Sequence, residues 1–116
     1  MMSSQDIGRQ GEKIAQDYVR RYCTILHTNW KCGRKEIDII ATHNGTIYFI
    51  EVKTRSTGRF GNPEEAVNYQ KQANIQSVAA AYLECFGLYP DAVRFDIIAI
   101  TFKEDDYELL HLRDVF

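Results

Sequence analysis

Cysteine is scarce in this chain and poorly spaced for chemistry. Cys23, Cys32 and Cys85 are an odd number with no Cys-x-x-Cys pair, which speaks against a disulfide framework or a zinc site and for reduced, buried or half-buried structural thiols. Only two prolines occur, in a composition that is 45% hydrophobic and 26% charged. This argues against a disordered or linker segment. No apolar run approaches the roughly 18 residues of a membrane span, and the opening Met-Met-Ser-Ser-Gln-Asp lacks the basic and apolar regions of a signal peptide. The expectation is a cytoplasmic protein with no membrane partner. His27, His43 and His111 are isolated from one another, as structural or surface histidines are. With no internal repeat, 116 residues read as a single domain over 1–116, large enough to bury roughly two thirds of its unfolded surface.

An excess of positive charge is also missing. The net charge of −2 argues against a strong electrostatic grip on nucleic acid, but its distribution softens that. Residues 1–71 hold 11 Lys/Arg against 8 Asp/Glu, a net of +3, and residues 72–116 hold 3 against 8, a net of −5.

What is present is a strong hairpin signal. Asn44-Gly45 separates two apolar-rich runs, and both residues tolerate the positive φ of a type I′ turn. If these two residues are the whole loop, His43 faces Thr46, Ile40 faces Phe49, Ile39 faces Ile50, and Asp38 faces Glu51. Directly opposed side chains lie about 4.5–5.5 Å apart at Cβ, where like charges destabilise a sheet. Lys53 points to the same face as Glu51 by the alternation of a strand. The pattern puts Ile37, Ile39, Ala41, Tyr48, Ile50 and Val52 on one face of the hairpin. Glu36, Asp38, Ile40, Phe49, Glu51 and Lys53 fall on the other.

The remaining elements follow from spacing. Ile7, Gly11, Ile14, Ala15, Tyr18, Val19 and Tyr22 predict an amphipathic helix over 4–22 with Ser3 or Ser4 as N-cap, and Glu12 beside the stripe. Gly8 and Gly11 each cost such a helix about 1 kcal/mol relative to alanine, so another backbone or a ligand is expected to approach closely there. Strands are expected over 24–30, 35–43, 46–54, 92–101 and 107–112. A loop over 54–63 leads to a second helix, with Asn62 as N-cap, Pro63 at the first helical position, Glu64-Glu65 in the first turn and Gly87 at its end. The order αβββαββ predicts an α/β fold, a central mixed β-sheet flanked by helices.

Paired carboxylates with a lysine suit metal-assisted phosphodiester hydrolysis. Asp38 and Glu51 offer hard oxygens to Mg²⁺ or Mn²⁺, such a cation offsets charge on phosphate oxygens, and a lysine orients water and stabilises the same charge. A salt-bridged patch on an exposed sheet face is the alternative that these residues leave open.

Asp38 followed after twelve residues by Glu51-Val52-Lys53, and preceded by a helix bearing Glu12, resembles the restriction-endonuclease-like PD-(D/E)xK nuclease superfamily, most of all its Holliday-junction-resolvase branch. More closely, the chain resembles the uncharacterised bacterial YraN-like family. Gly8-x-x-Gly11-Glu12, Asn29-Trp30, Glu36-Ile37-Asp38-Ile39-Ile40-Ala41, Phe49 to Arg55, Phe60-Gly61, Lys71 and Arg94-Phe95-Asp96 match its pattern in order. The resemblance implies a restriction-endonuclease-like domain with metal-dependent DNA endonuclease activity on branched or structured DNA. It implies Asp38, Glu51 and the Val52 carbonyl as metal ligands, Lys53 as catalytic lysine and Glu12 as a further catalytic acid reaching the metal from the first helix. Arg55, Arg59 and Lys71 become candidates for phosphate contacts, with DNA as partner, a homodimer as assembly and no nucleotide cofactor. The roles of Glu36 and Asp96 stay open; Glu36 is expected to pair with Lys53 or another cation. Two departures stand out: Ile37 replaces the superfamily's proline, and Lys35 the close family's glycine. The rival reading is a non-catalytic nucleic-acid-binding or adaptor module that retains the fold.

Overall fold

Ser3 starts the first helix. Its Oγ accepts from the Asp6 N–H at 3.1 Å while the Ser3 N–H donates to Asp6 Oδ2 at 3.4 Å, a reciprocal cap that satisfies two otherwise orphaned donors. In the computed structural model, which describes residues 3–56 and 69–116, this helix α1 covers Ser4–Arg20. Strands β1 (Thr24–Cys32), β2 (Lys35–His43) and β3 (Thr46–Ser56) follow, then helix α2 (Tyr69–Phe86), then β4 (Ala92–Phe102) and β5 (Tyr107–Leu112). Among the described residues the observed order is the expected αβββαββ. The loop expected over 54–63 begins later, because β3 stays paired with β4 as far as Ser56; residues 57–63, with the helix start at Asn62-Pro63 and Arg59, lie outside the described residues.

The five strands form one sheet in the order β1-β2-β3-β4-β5. β3 and β4 run parallel, and the other neighbours are antiparallel. A parallel pair needs a crossover, and α2 lies in it. Asn44 at φ 49° and Gly45 at φ 80° make the β2–β3 turn, with the register running His43–Thr46 to Ile39–Ile50 as the turn predicts. At the end of α2, Gly87 at φ 61° lets its own N–H reach the Glu84 carbonyl and the Leu88 N–H the Leu83 carbonyl, a Schellman closure.

Each face of the sheet buries one helix. Ala15 and Val19 of α1 pack with Ile39, Ala41, Ile50, Ile98 and Ile100; Val78, Ala79 and Tyr82 of α2 pack with Ile37, Ile40, Ile47 and Phe49. Central strands covered on both sides are therefore almost continuously apolar, as in Ile97–Ile100. One face assignment differs from the alternation: Ile37 joins the α2 side with Ile40, not the α1 side with Ile39. The two-residue pleat does not hold across Asp38, whose β1 neighbour Asn29 has φ 50°. Gly11 meets Thr54 of β3 so closely that a Cβ would sit 1.8 Å from Thr54 Cγ2. Gly8 has nothing within 4 Å, so the close approach expected of both glycines exists at Gly11 alone. Cys23 is buried, but Cys32 and Cys85 are exposed, because one borders the β1–β2 turn and the other lies on the outer side of α2. Among the described residues, no helix is long and apolar enough to cross a membrane.

Candidate metal centre

The sheet forks where the acidic residues stand. β2 and β3 pair as far as Ile39–Ile50; beyond that point β2 continues along β1 to Cys32–Lys35, and β3 along β4 to Ser56–Phe102. Asp38 and Glu51 are thus neighbours across a fork rather than the ladder pair that the turn count expects. At the fork the Val52 N–H donates to Asp38 Oδ2 at 2.8 Å. Burial, and next the charge of Glu51, push the Asp38 carboxyl up to about 7, against the lowering effect of the Val52 N–H. A carboxylate in that position is held among like charges at an energetic cost.

Glu12 approaches from α1. Its carboxyl is raised by burial and by the charge of Asp38, and Asn29 opposes this with a hydrogen bond. Asn29 Nδ2 lies 3.4 and 3.5 Å from the two Glu12 oxygens and 2.9 Å from Glu36 Oε1. Glu36 is therefore held by an amide of the neighbouring strand, where pairing with a cation was expected.

Lys53 is half-buried. Burial and then the neighbouring Lys71 of α2 lower its pKa, while Glu51 and Asp38 oppose the shift. The fork thus brings together Asp38, Glu51, Lys53, Glu12 and, from across the crossover, Lys71. A cavity of about 180 Å³ opens beside Glu51 and is lined by Arg34, Lys35, Glu36, Lys71 and Asn74. Arg55 is less available to it, since its Nε donates to Thr101 Oγ1 of β4 at 3.3 Å. Among the described residues, no three His, Cys, Asp or Glu side chains gather into a ready set of metal ligands.

Asn29, Arg34 and Lys35 carry no site role in the sequence reading. Asparagine is enriched among non-glycine residues at positive φ, but nothing local marks one asparagine of a strand as the residue that adopts it.

Asp96 belongs to a separate cluster. It is 2% exposed and accepts from Arg94 Nε at 2.9 Å, from His111 Nε2 at 2.7 Å and from the Asp114 N–H at 2.9 Å. His111 Nδ1 in turn meets the Tyr18 hydroxyl at 2.8 Å. Burial by itself would raise the Asp96 carboxyl, but His111, Arg94 and the Asp114 N–H outweigh it and hold the group at about 2. This network ties β4 to β5, α1 and the last residues of the chain, and gives Asp96 a structural role.

Residues 11–100 match the model of a family described as uncharacterised protein family UPF0102. A UPF0102 protein of Alkaliphilus oremlandii is 42% identical over 116 residues, spanning 97% of this chain and 99% of the relative. One from Chlorobium phaeobacteroides is 43% identical over 117 residues, spanning 95% and 92%. A third, from Phocaeicola vulgatus, is 38% identical over 117 residues, spanning 100% and 96%.

Proposed function

The chain belongs to the UPF0102 family, and from the charge geometry at the fork of its sheet we propose a metal-dependent endonuclease that hydrolyses phosphodiester bonds in DNA, with branched or otherwise structured DNA as the substrate class. The observation that carries this reading is geometric: Asp38 stands where β2 and β3 part, its Oδ2 on the Val52 N–H at 2.8 Å, close enough to Glu51 for that charge, after burial, to push its carboxyl up. Two carboxylates forced together in a half-buried place repel one another unless a cation joins them. The donor set fits Mg²⁺ or Mn²⁺: Asp38, Glu51 and the Val52 carbonyl supply hard oxygens, and Mg²⁺ retains several waters instead of demanding an all-protein cage. When bound, such a cation supplies positive charge against the phosphate oxygens and makes water more acidic.

The chain's own groups divide the rest of the work. Lys53 orients the attacking water and offsets the negative charge that grows on the phosphate. Glu12 adds a further acid from α1. Lys71, with Arg55 and Arg59, contacts flanking phosphates. Order αβββαββ around a mixed sheet supports a restriction-endonuclease-like architecture for this reading. A homodimer would double the basic surface that residues 1–71, at net +3, give one copy. A DNA substrate and three free cysteines agree with a cytoplasmic setting.

The second reading is a nucleic-acid-binding or adaptor module without turnover, and the lack of a three-ligand cluster among the described residues favours it. A cleavage assay on linear, flapped and four-way DNA with Mg²⁺ or Mn²⁺ separates the two. Cleavage by wild type that disappears in Asp38→Asn and Lys53→Ala supports the nuclease. Binding of DNA without cleavage supports the module, and cleavage that survives Lys53→Ala overturns the role of that lysine in turnover.

A further inference from the structure

Asn29 lies inside β1 with φ 50°. Strand residues ordinarily sit near φ −120° to −140°, and a left-handed residue outside glycine persists only when its surroundings determine it. The pairs on either side, Thr28–Ile39 and Trp30–Ile37, keep one register. The distortion therefore keeps the pairing register, interrupts the pleat beside Ile37 and re-aims the Asn29 side chain. That side chain reaches Glu12, 17 residues away on α1, and Glu36, 7 residues away on β2. One amide nitrogen has two hydrogens to give, and it is spent on two carboxylates that would otherwise repel each other.

We propose that Asn29 is a positioning residue of the metal centre: its amide holds the Glu12 carboxylate toward Asp38 and Glu51 and keeps Glu36 from displacing it. The role rests on the metal-centre reading above, and it goes further by assigning a residue that positions the centre's further acid, Glu12, without touching the metal. Groups that orient metal ligands in this way commonly change metal affinity about 10–100-fold when removed. Asn29 is exposed, so its side chain contributes to this orientation and not to the core.

The test is calorimetric titration of Mn²⁺ into metal-free wild type, Asn29→Gly, Glu12→Gln and the double variant, with melting temperatures taken in chelator. Glycine adopts positive φ without strain, so Asn29→Gly removes the amide and keeps the backbone. The expected result is a melting temperature within a few degrees of wild type and a Mn²⁺ affinity about tenfold weaker. The double variant is expected to bind no more weakly than Glu12→Gln, because the amide acts through Glu12. Wild-type affinity in Asn29→Gly, or losses that multiply in the double variant, would overturn the role and leave the metal centre standing. A wild type that takes up no Mn²⁺ overturns the metal centre, and the role with it. A second measurement covers the case in which Asn29→Gly does not fold: the Asn29 side-chain amide resonances are expected to move when Mg²⁺ is added to wild type and to stay fixed in Glu12→Gln. Resonances that do not move in wild type which binds Mg²⁺ refute the role.

Discussion

Asp38 Oδ2 accepts the backbone N–H of Val52 at 2.8 Å, so a side chain takes up a main-chain donor at the point where β2 and β3 part. Asparagine retains an oxygen for that donor and removes the charge that burial and Glu51 oppose. Asp38→Asn is therefore expected to stabilise the metal-free protein at pH 8 by about 1–2 kcal/mol, a rise of roughly 5 °C in melting temperature. It is also expected to abolish stabilisation by Mn²⁺. A variant that melts at or below wild type in chelator would mean that the fork carries no charge strain of this kind.

The pH dependence of stability follows from two carboxyls with opposite shifts. Asp38 has a folded pKa of about 7 against the ordinary 3.8, so the folded state binds the extra proton, and stability falls as pH rises from roughly 4 to 7. Asp96 has a folded pKa of about 2, so its contribution is complete above roughly pH 4 and disappears as pH falls toward 2. Metal-free protein is expected to be most stable near pH 4–5, with the alkaline decline reduced in Asp38→Asn and by added Mn²⁺. Chemical denaturation at a series of pH values measures this; a flat profile between pH 4 and 7 is the contrary outcome.

Asp96→Ala is expected to be the costly change in the network that ties β4 to β5 and α1. It leaves His111, whose side chain is 4% exposed, without its acceptor and releases Arg94 and the Asp114 N–H. Removing one partner of a buried charged network costs about 3–5 kcal/mol, with the lower end expected because the Arg94 side chain is 28% exposed and can turn to water. Urea unfolding reads the loss directly, and a value below about 1 kcal/mol would mean that the network is dispensable.

Gly8 and Gly11 are expected to respond to alanine in opposite directions. Gly8 has open space, so Gly8→Ala gains up to about 1 kcal/mol of helix propensity. At Gly11 the new Cβ meets Thr54 Cγ2 at 1.8 Å, and overpacking of this kind costs about 1–3 kcal/mol. Thr54→Ala is expected to restore part of the loss in the Gly11→Ala background. Equal melting shifts for the two glycine variants would show that α1 is not held tightly against β3 at Gly11.

Elements set by local chemistry are legible in the sequence: β2 over Lys35–His43, β5 over Tyr107–Leu112, the Asn44-Gly45 turn and the αβββαββ order. Turn residues fix φ and strand alternation fixes faces, and both act within a few positions. The same rules locate Asp38, Glu51 and Lys53 together, because one short turn folds their strands back on each other. They fail at Ile37, where a left-handed Asn29 interrupts the pleat that alternation assumes. They are silent on Lys71, which reaches Lys53 only because a parallel β3–β4 pair requires a crossover through α2. They also give no sign that Asp96 and His111 join with Tyr18, 93 residues from that histidine. By itself the sequence determined which residues are acidic neighbours; only the tertiary structure decided which partners hold them, since those partners come from elements whose proximity depends on sheet order and on helix packing across each face.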